Sequence, residues 1–322
     1  MSRRSVRTLG AALLAQALLC GLAVTLAGCA GRAAAATPLS GEASATHASV
    51  RRETGTVFVY RCSDVPFKPY VQQLYTPGGV NVLLDSPADH KHHHGLMFAL
   101  SAEDLDFWGE EGQVGRQVNR KLSGPVFPQP NDVAVGVLSE QLDWLGSRDQ
   151  VLLTEERTLQ TYAGAGIDAT LLTWRSRLTP AGERASAMLS GAHYVGLGMR
   201  FPASLDKTAT FPNASRQPGD IVRGDERVVR ANWSACTGDV DGHAITVALF
   251  DHTDNARHPA TWFTMRDPFA YMSATLNLWK EPLTIKAGEP LDLCYGVAVW
   301  DGRVEPAKIE AMYQRWLRIC GR

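Results

Sequence analysis

The sequence lacks an excess of either charge, because 32 Lys and Arg residues are balanced by 33 Asp and Glu residues, giving a formal charge of −1 at pH 7. Such a chain has no basic surplus with which to hold a phosphate backbone, so nucleic acid is not an expected partner. The six cysteines contain no CxxC spacing, which removes support for a thiolate metal site. After residue 28, no apolar run approaches the ~20 residues of a membrane-spanning helix.

One apolar segment is present at the N-terminus, over residues 11–26, and it follows a stretch with three arginines and no acid. This order is typical of a secretory signal. The sequence Leu-Ala-Gly directly before Cys29 resembles the bacterial lipobox, in which the cysteine is acylated and becomes the new N-terminus. We therefore predict a lipoprotein signal over residues 1–28, lipidation of Cys29, and a location in the bacterial cell envelope, on the periplasmic or outer-surface side. An ordinary signal cut near Ala36 and an uncleaved anchor are the alternatives.

Residues 29–52 are rich in Ala, Ser, Thr and Gly and predict a flexible tether from the lipid. Residues 53–322 then form a single predicted domain, which contacts the membrane through the lipid anchor only. Four cysteines remain in this domain, and either two disulfides or free buried thiols are compatible with the sequence. They are Cys62, Cys236, Cys294 and Cys320.

The body of the chain predicts an all-β fold, because short β-branched and apolar segments alternate with turn residues and not with helices. The predicted strands are Thr56–Tyr60, Val80–Leu84, Val133–Leu138, Ile167–Trp174, Ala244–Phe250, Ala274–Trp279 and Leu293–Trp300. An antiparallel sandwich or barrel follows from this pattern. One C-terminal helix is predicted after Pro306, since apolar residues recur there at helical spacing, at Ile309, Met312, Tyr313, Trp316 and Leu317.

Four of the nine histidines lie within five positions, at His90, His92, His93 and His94. In an extended strand, His93 would point away from the other three. His90 and His92 could then share a divalent metal with a downstream acid, since imidazole suits zinc, copper and iron. Alternatively, one histidine could carry a proton while a carboxylate sets its tautomer. A His-rich surface loop without chemistry is the third interpretation.

Aromatic and charged residues accompany these histidines in three segments. Trp108 lies among acids just downstream, a mixture that suits either a sugar-binding cleft or a core tryptophan at a strand end. The segment Phe250–Pro268 repeats the mixture of His, acid, Arg and Trp, and His193–Phe201 contains two glycines that permit close backbone approach. The candidate side chains of the last two segments are His193, Arg200, His252, Arg257, His258, Trp262 and Arg266.

The segments PYVQQLYTPGGVNVLLDSPADHKHHHGLMFAL, DFWGE and VALFDHTDNARHPATWFTMRDP resemble the bacterial PmoA-like family, automatically named "methane oxygenase PmoA". The resemblance covers about Lys68 to Val299. It implies a β-supersandwich similar to galactose mutarotases and polysaccharide lyases, in exported proteins of polysaccharide-degrading bacteria. The matching positions are Asp89, His90, His92, His93, Gly95, Trp108, Asp251, His252, Asn255, Arg257, His258, Trp262 and Arg266.

This sequence departs from the PmoA-like pattern in two places. Lys91 and His94 replace the usual Pro and Arg, and His193 and Tyr194 stand where a Lys-Glu-Gly run is usual. If that glutamate serves the family as acid or base, this chain has lost or replaced it. A genuine methane monooxygenase is excluded, since that subunit is built from membrane-spanning helices.

Three functions are compatible with these residues. The first is a carbohydrate-active enzyme of epimerase, lyase or hydrolase type, with a glycan or small sugar as its partner. In it, His92 or His93 transfers a proton, Asp89 orients the histidine, His252 contributes to catalysis, and Arg200 or Arg257 holds negative charge. The predicted substrate-binding residues are Trp108, His193, Arg200, Arg257, His258, Trp262 and Arg266.

The second function is a metal-dependent oxidoreductase or hydrolase, with His90, His92 and an acid or His252 as ligands to a divalent metal. No cofactor is certain, and this metal is the one possibility. The third is a non-catalytic lipoprotein that binds sugar or a protein partner through a tryptophan-lined face.

Overall fold

A computed structural model describes residues 38–65, 67–130 and 133–320. The predicted all-β sandwich with one C-terminal helix is confirmed. In chain order the first ten strands are β1 (Leu39–Ala43), β2 (His47–Arg52), β3 (Gly55–Arg61), β4 (Tyr70–Leu74), β5 (Leu96–Ala99), β6 (Ser101–Ala102), β7 (Leu105–Asp106), β8 (Arg116–Val126), β9 (Val133–Leu145) and β10 (Val151–Gly164). The others are β11 (Thr170–Pro180), β12 (Ser186–Ser190), β13 (Gly196–Arg200), β14 (Asp220–Ile221), β15 (Arg227–Arg230), β16 (Trp233–Val240), β17 (His243–Asp251), β18 (Thr261–Met265), β19 (Tyr271–Thr275), β20 (Leu283–Lys286) and β21 (Leu291–Asp301). A 3-10 turn spans Ala203–Leu205, and helix α1 spans Pro306–Cys320.

The strands form two large antiparallel sheets and one small one. The ten-stranded sheet has the order β1-β2-β3-β4-β5-β13-β19-β18-β15-β14, and the seven-stranded sheet has the order β16-β17-β21-β11-β10-β9-β8. The small sheet has the order β20-β12-β6-β7. Apolar residues of both large sheets share one core, in which the rings of Phe98 and Trp144 lie 6.1 Å apart.

A buried ionic network connects the two large sheets through Arg157 of β10. Its guanidinium donates to both oxygens of Glu155, each at 2.8 Å. It also donates to the hydroxyl of Tyr60 in β3 and to the backbone carbonyl of Pro69, each at 3.0 Å. A buried charge is tolerated only when it is paired and hydrogen-bonded, and Arg157 meets that condition.

The predicted tether over residues 29–52 is wrong from Leu39 onward. Residues 39–43 and 47–52 form β1 and β2, which pair with each other, and β2 pairs with β3 at the edge of the ten-stranded sheet. Ala48 and Val50 are fully buried there. The prediction failed because backbone hydrogen bonds to an existing sheet need no large side chains. Residues 29–37, including Cys29, lie outside the described residues.

The predicted strand Val80–Leu84 is also wrong, and only the first two residues of Ala274–Trp279 lie in a strand. The side chain of Asn81 accepts hydrogen bonds from the backbone N–H groups of Leu74 and Leu83, at 3.2 and 3.3 Å. A side chain that bonds neighbouring backbone groups competes with regular strand pairing.

Helix α1 packs its apolar stripe on the outer face of the seven-stranded sheet, as its spacing predicts. Ile309, Met312, Tyr313 and Trp316 are buried, and Trp316 donates through Nε1 to Thr173 Oγ1 at 2.8 Å. The four cysteines of the domain are buried free thiols. In the described part of the chain, no helix is long and apolar enough to cross a membrane.

Candidate functional site

A cleft of about 360 Å³ lies against the ten-stranded sheet, and we name it the histidine cleft. The loop between β4 and β5 contributes the histidines, and the loop after β7 contributes Trp108. The other walls come from β18, β19, the turn between them, and the segments before β13 and β15. The cleft is lined by His90, His92, His93, Trp108, Tyr194, Arg223, Glu226, Phe263, Met265, Pro268, Phe269 and Tyr271.

A tight turn brings three of the four clustered histidines together. His93 N donates to His90 O at 2.9 Å, and Ser86 N donates to His93 O at 2.8 Å. The His90 and His93 rings stack with centroids 4.7 Å apart, and the His92 and His93 centroids lie 4.6 Å apart. In an extended strand the side chain of His93 would point away from that of His90. The turn instead brings His90, His92 and His93 together and directs His94 away from the cleft.

Burial and a lowered pKa disfavour His93 as the proton carrier that the sequence suggested. It is 6 % exposed, and burial, with nearby His92, His90, Arg200 and Lys68 adding positive charge, lowers its pKa to about 2. The ring is therefore neutral at physiological pH and is a weak base. Its Nδ1 atom has no hydrogen-bond partner among the described residues, and the ring stacks 5.5 Å from that of Tyr271.

His92 is half-buried and lines the same cleft. Burial lowers its pKa, and the positive charge of Lys68 lowers it further. Since the unperturbed value for histidine is ~6.5, His92 is a neutral imidazole at pH 7 and can accept a proton. It is thus the better candidate of the two histidines that the sequence proposed for proton transfer.

His94 belongs to a buried charge network behind the cleft. Its Nδ1 lies 2.9 Å from Asp85 Oδ1, its Nε2 lies 2.8 Å from Glu110 Oε1, and Lys68 Nζ lies 2.7 Å from the same Glu110 oxygen. Burial opposes protonation of His94, but the hydrogen bonds to Asp85 and Glu110 outweigh it and raise its pKa. Both ring nitrogens of His94 are thus paired with carboxylates, which fixes this end of the histidine loop.

Glu226 is a carboxylate of the cleft that sequence reasoning missed. Its Oε2 lies 2.9 Å from His193 Nε2, and its Oε1 accepts a hydrogen bond from Arg223 Nε at 2.8 Å. His193 was predicted to bind substrate, and the structure instead places it beside this carboxylate. The segment RGDERVVR that carries Glu226 has no motif or periodicity that distinguishes it from a charged turn.

Aromatic rings frame the cleft around Trp108. Its ring lies 6.0 Å from those of Tyr194 and Tyr271, and its Nε1 has no hydrogen-bond partner among the described residues. Gly198 makes this packing possible, since a Cβ there would lie 2.7 Å from the Tyr271 ring and 2.9 Å from the Trp108 ring. Gly198 thus permits the close approach of two rings to β13, while a Cβ at Gly196, the other glycine of the segment, would meet the backbone carbonyl of Ala274.

The metal hypothesis loses its geometric support. No group of three His, Cys, Asp or Glu side chains within residues 38–65, 67–130 and 133–320 is arranged to hold a metal ion. The His90 and His92 rings are 5.7 Å apart, and His90 Nδ1 lies 3.1 Å from Asp89 Oδ2. His252 does not reach them, since it lines a separate cleft beside Trp316.

Asp89 and Arg200 support the cleft from outside its lining. Arg200 is 2 % exposed, lies 3.9 Å from the centre of the Phe269 ring and has Asp89 Oδ2 at 3.5 Å. Asp89 therefore lies beside His90 and Arg200, and no hydrogen bond joins it to His92 or His93 in the described residues. Arg200 is buried, packs against the ring of Phe269 and does not line the cleft, which corrects its predicted role as a substrate ligand.

The other candidates of the Phe250–Pro268 segment stabilise the fold. Trp262 is fully buried and donates through Nε1 to Ala231 O at 2.6 Å. His258 Nδ1 lies 2.7 Å from a carboxylate oxygen of buried Asp251. Arg266 Nε lies 3.6 Å from Asp225 Oδ1. Arg257 donates to the carbonyls of Leu276 and Glu281, both at 2.7 Å. The segment crosses from β17 in one sheet to β18 in the other, and none of these residues lines the histidine cleft.

The solved structures that are similar to this chain include two α-galactosidases. A variant of the enzyme AgaA from Geobacillus stearothermophilus, of family GH36 and in complex with stachyose, aligns over 82 % of this chain and 40 % of its own, with 11 % identity and a TM-score of 0.44. The enzyme from Lactobacillus brevis aligns over 83 % of this chain and 40 % of its own, with 5 % identity and a TM-score of 0.45. This chain therefore spans about two fifths of the length of either structure.

No curated protein matches the sequence. A family model does, and it covers residues 47–314, from β2 to helix α1, and includes every residue of the histidine cleft. The chain therefore belongs to the family of unknown function DUF6807.

Proposed function

We propose that this protein is an exported lipoprotein that binds a glycan in the histidine cleft and acts on it as a carbohydrate-active enzyme. The observation that carries the proposal is the composition of the cleft. Apolar ring faces, unpaired hydrogen-bonding atoms and two proton-exchanging side chains, His92 and Glu226, line the same small volume.

A sugar suits this cleft better than an apolar ligand does. A pyranose has apolar C–H faces that stack on rings such as Phe269, and hydroxyls that can pair with His93 Nδ1 and Trp108 Nε1. A ligand without hydroxyls would leave both nitrogens buried and unpaired, at a cost of about 1–3 kcal/mol each.

The titratable groups favour proton transfer at a sugar carbon or hydroxyl. His92 is neutral at pH 7 and can accept a proton, and Glu226 supplies a carboxylate in the same cleft. Glu226 is the single carboxylate among the described cleft-lining residues, so the paired carboxylates of a conventional glycosidase are not provided. Epimerase or lyase chemistry therefore ranks above hydrolysis.

A non-catalytic sugar-binding lipoprotein is the second candidate. Two observations on His92 and Glu226 favour it. No carboxylate is hydrogen-bonded to His92 among the described residues, and both oxygens of Glu226 already have partners, in Arg223 and His193. Such a protein would use the same rings and nitrogens for binding but would leave the sugar unchanged.

The test is a panel of neutral and uronate-containing mono- and oligosaccharides, measured by isothermal titration calorimetry and by proton NMR in deuterated water. We expect binding, together with deuterium exchange at carbon, a new stereoisomer or an unsaturated product. His92→Gln should remove the reaction and retain binding, while His243→Gln, at an exposed strand residue, should change neither. Binding without reaction would establish the second candidate, and a panel without any binding would overturn both.

A further inference from the structure

A second cleft adjoins the histidine cleft and shares two of its walls. Trp108 and Tyr194 line both cavities, and the second one has a volume of about 400 Å³. Its other walls include Asp104, Asp106 and Trp279. The two cavities therefore lie against the same two aromatic side chains, and a ligand longer than one ring could contact both.

Trp279 gives the second cleft an apolar platform. Its side chain is 40 % exposed, and it is one of three large hydrophobic residues exposed in the described part of the chain. Arg257 fixes the loop that carries Trp279, because its guanidinium donates to the backbone carbonyls of Leu276 and Glu281 on either side, both at 2.7 Å. An exposed tryptophan on a restrained loop loses little entropy when a sugar face stacks on it.

Two carboxylates supply acceptors for hydroxyl groups in the second cleft. Asp106 accepts the backbone N–H groups of Trp108 and Gly109, at 2.8 and 2.9 Å, and each oxygen retains further lone pairs. Asp104 is exposed and has no side-chain hydrogen bond among the described residues.

We propose that the second cleft is a subsite for the neighbouring sugar of the same glycan, so that the ligand is at least a disaccharide. This inference rests on the proposed function of the histidine cleft. Asp104 and Asp106 repel an anionic group on their side of the second cleft, whereas Lys280 Nζ lies 4.8 Å from the centre of the Trp279 ring. The sugar in the histidine cleft is the one that reacts.

The experiment compares the affinities of a monosaccharide, a disaccharide and a trisaccharide of the same linkage series, by calorimetry on wild type and on Trp279→Ala. The test ligands are α- and β-linked oligosaccharides of glucose, galactose, mannose and xylose, each series also prepared with a terminal uronate. Wild type should bind the disaccharide at least about tenfold more tightly than the monosaccharide. Trp279→Ala should remove most of that gain and leave the monosaccharide affinity unchanged.

Ile221→Ala is the matched control, because Ile221 is 67 % exposed and lines neither cleft. Asp104→Asn should allow a uronate in the second position to bind more tightly than it binds to wild type. Equal affinity of wild type for mono- and disaccharides would overturn the subsite while leaving the histidine cleft as a sugar site. If no sugar of any series binds, the proposed function fails and the subsite fails with it.

Discussion

The imidazole of His193 lies 2.9 Å from the carboxylate of Glu226, although the two residues are 33 positions apart in the sequence. Glu226 lies in the turn before β15, and His193 lies just before β13. The fold thus brings a carboxylate into the histidine cleft that no local motif of the sequence indicates.

We predict that Glu226→Gln lowers turnover by about 100-fold or more, because general acid–base groups contribute about that much or more to rate. Sugar affinity should change by less than about tenfold, since the amide keeps an acceptor for Arg223. Steady-state kinetics and calorimetry separate the two effects. Glu183→Gln, at an exposed turn, is the control, and an unchanged turnover in Glu226→Gln would remove this residue from the reaction.

We predict that Gly198→Ala closes the cleft from within, because the new methyl group would overlap the ring of Tyr271 and contact Trp108. Overpacking of this kind costs about 1–3 kcal/mol of unfolding free energy. Thermal unfolding should show the loss, and calorimetry should show reduced sugar binding. Adding Tyr271→Phe removes the hydroxyl closest to the methyl group, so the double variant should recover part of both properties.

The raised pKa of His94 predicts a specific pH dependence of stability. Protonated His94 is favoured in the folded protein, so its contribution is fully present below the unfolded pKa of ~6.5 and is lost as pH rises through the raised folded value. The pKa values of His92 and His93 are lowered, so the folded state favours their neutral rings and their contribution to stability rises with pH. Urea unfolding of wild type and His94→Gln should isolate the first effect, as the stability difference between them shrinks from pH 6 to pH 9. A difference that grows with pH would contradict the assignment.

Lipidation of Cys29 remains a prediction from the sequence. Cys29→Ala should remove the diacylglyceryl group and release the protein from the membrane fraction, because a single modified residue provides the whole attachment. Mass spectrometry of the N-terminal peptide and fractionation of cells test this. Cys62→Ala is a control, since Cys62 is a buried thiol of the domain and should leave the attachment unchanged. A wild-type N-terminus at Thr37 without lipid would favour the ordinary signal peptide cut near Ala36.

Strand-rich patterning was sufficient to predict the fold class and the helix from Pro306, because alternating and helical spacings follow directly from backbone geometry. The clustering of four histidines within five positions, with Trp108 among acids just downstream, indicated three of the cleft histidines and this tryptophan. The patterning could not show that His258 pairs with buried Asp251 or that Arg257 binds backbone carbonyls, since the residue types that hold a loop and those that hold a ligand are the same. Glu226, Tyr194 and Tyr271 were missed because long-range strand pairing, and not local sequence, places them in the cleft.

The early start of β1 limits how far the domain can stand from a lipid at Cys29. Only ten residue steps separate Cys29 from Leu39, and an extended chain covers at most about 3.3–3.6 Å per step, or roughly 35 Å in all. If Cys29 carries the predicted lipid, Leu39 stays within roughly 35 Å of the bilayer. A substrate would then have to meet the domain at the membrane surface, as a soluble fragment or as part of the envelope itself.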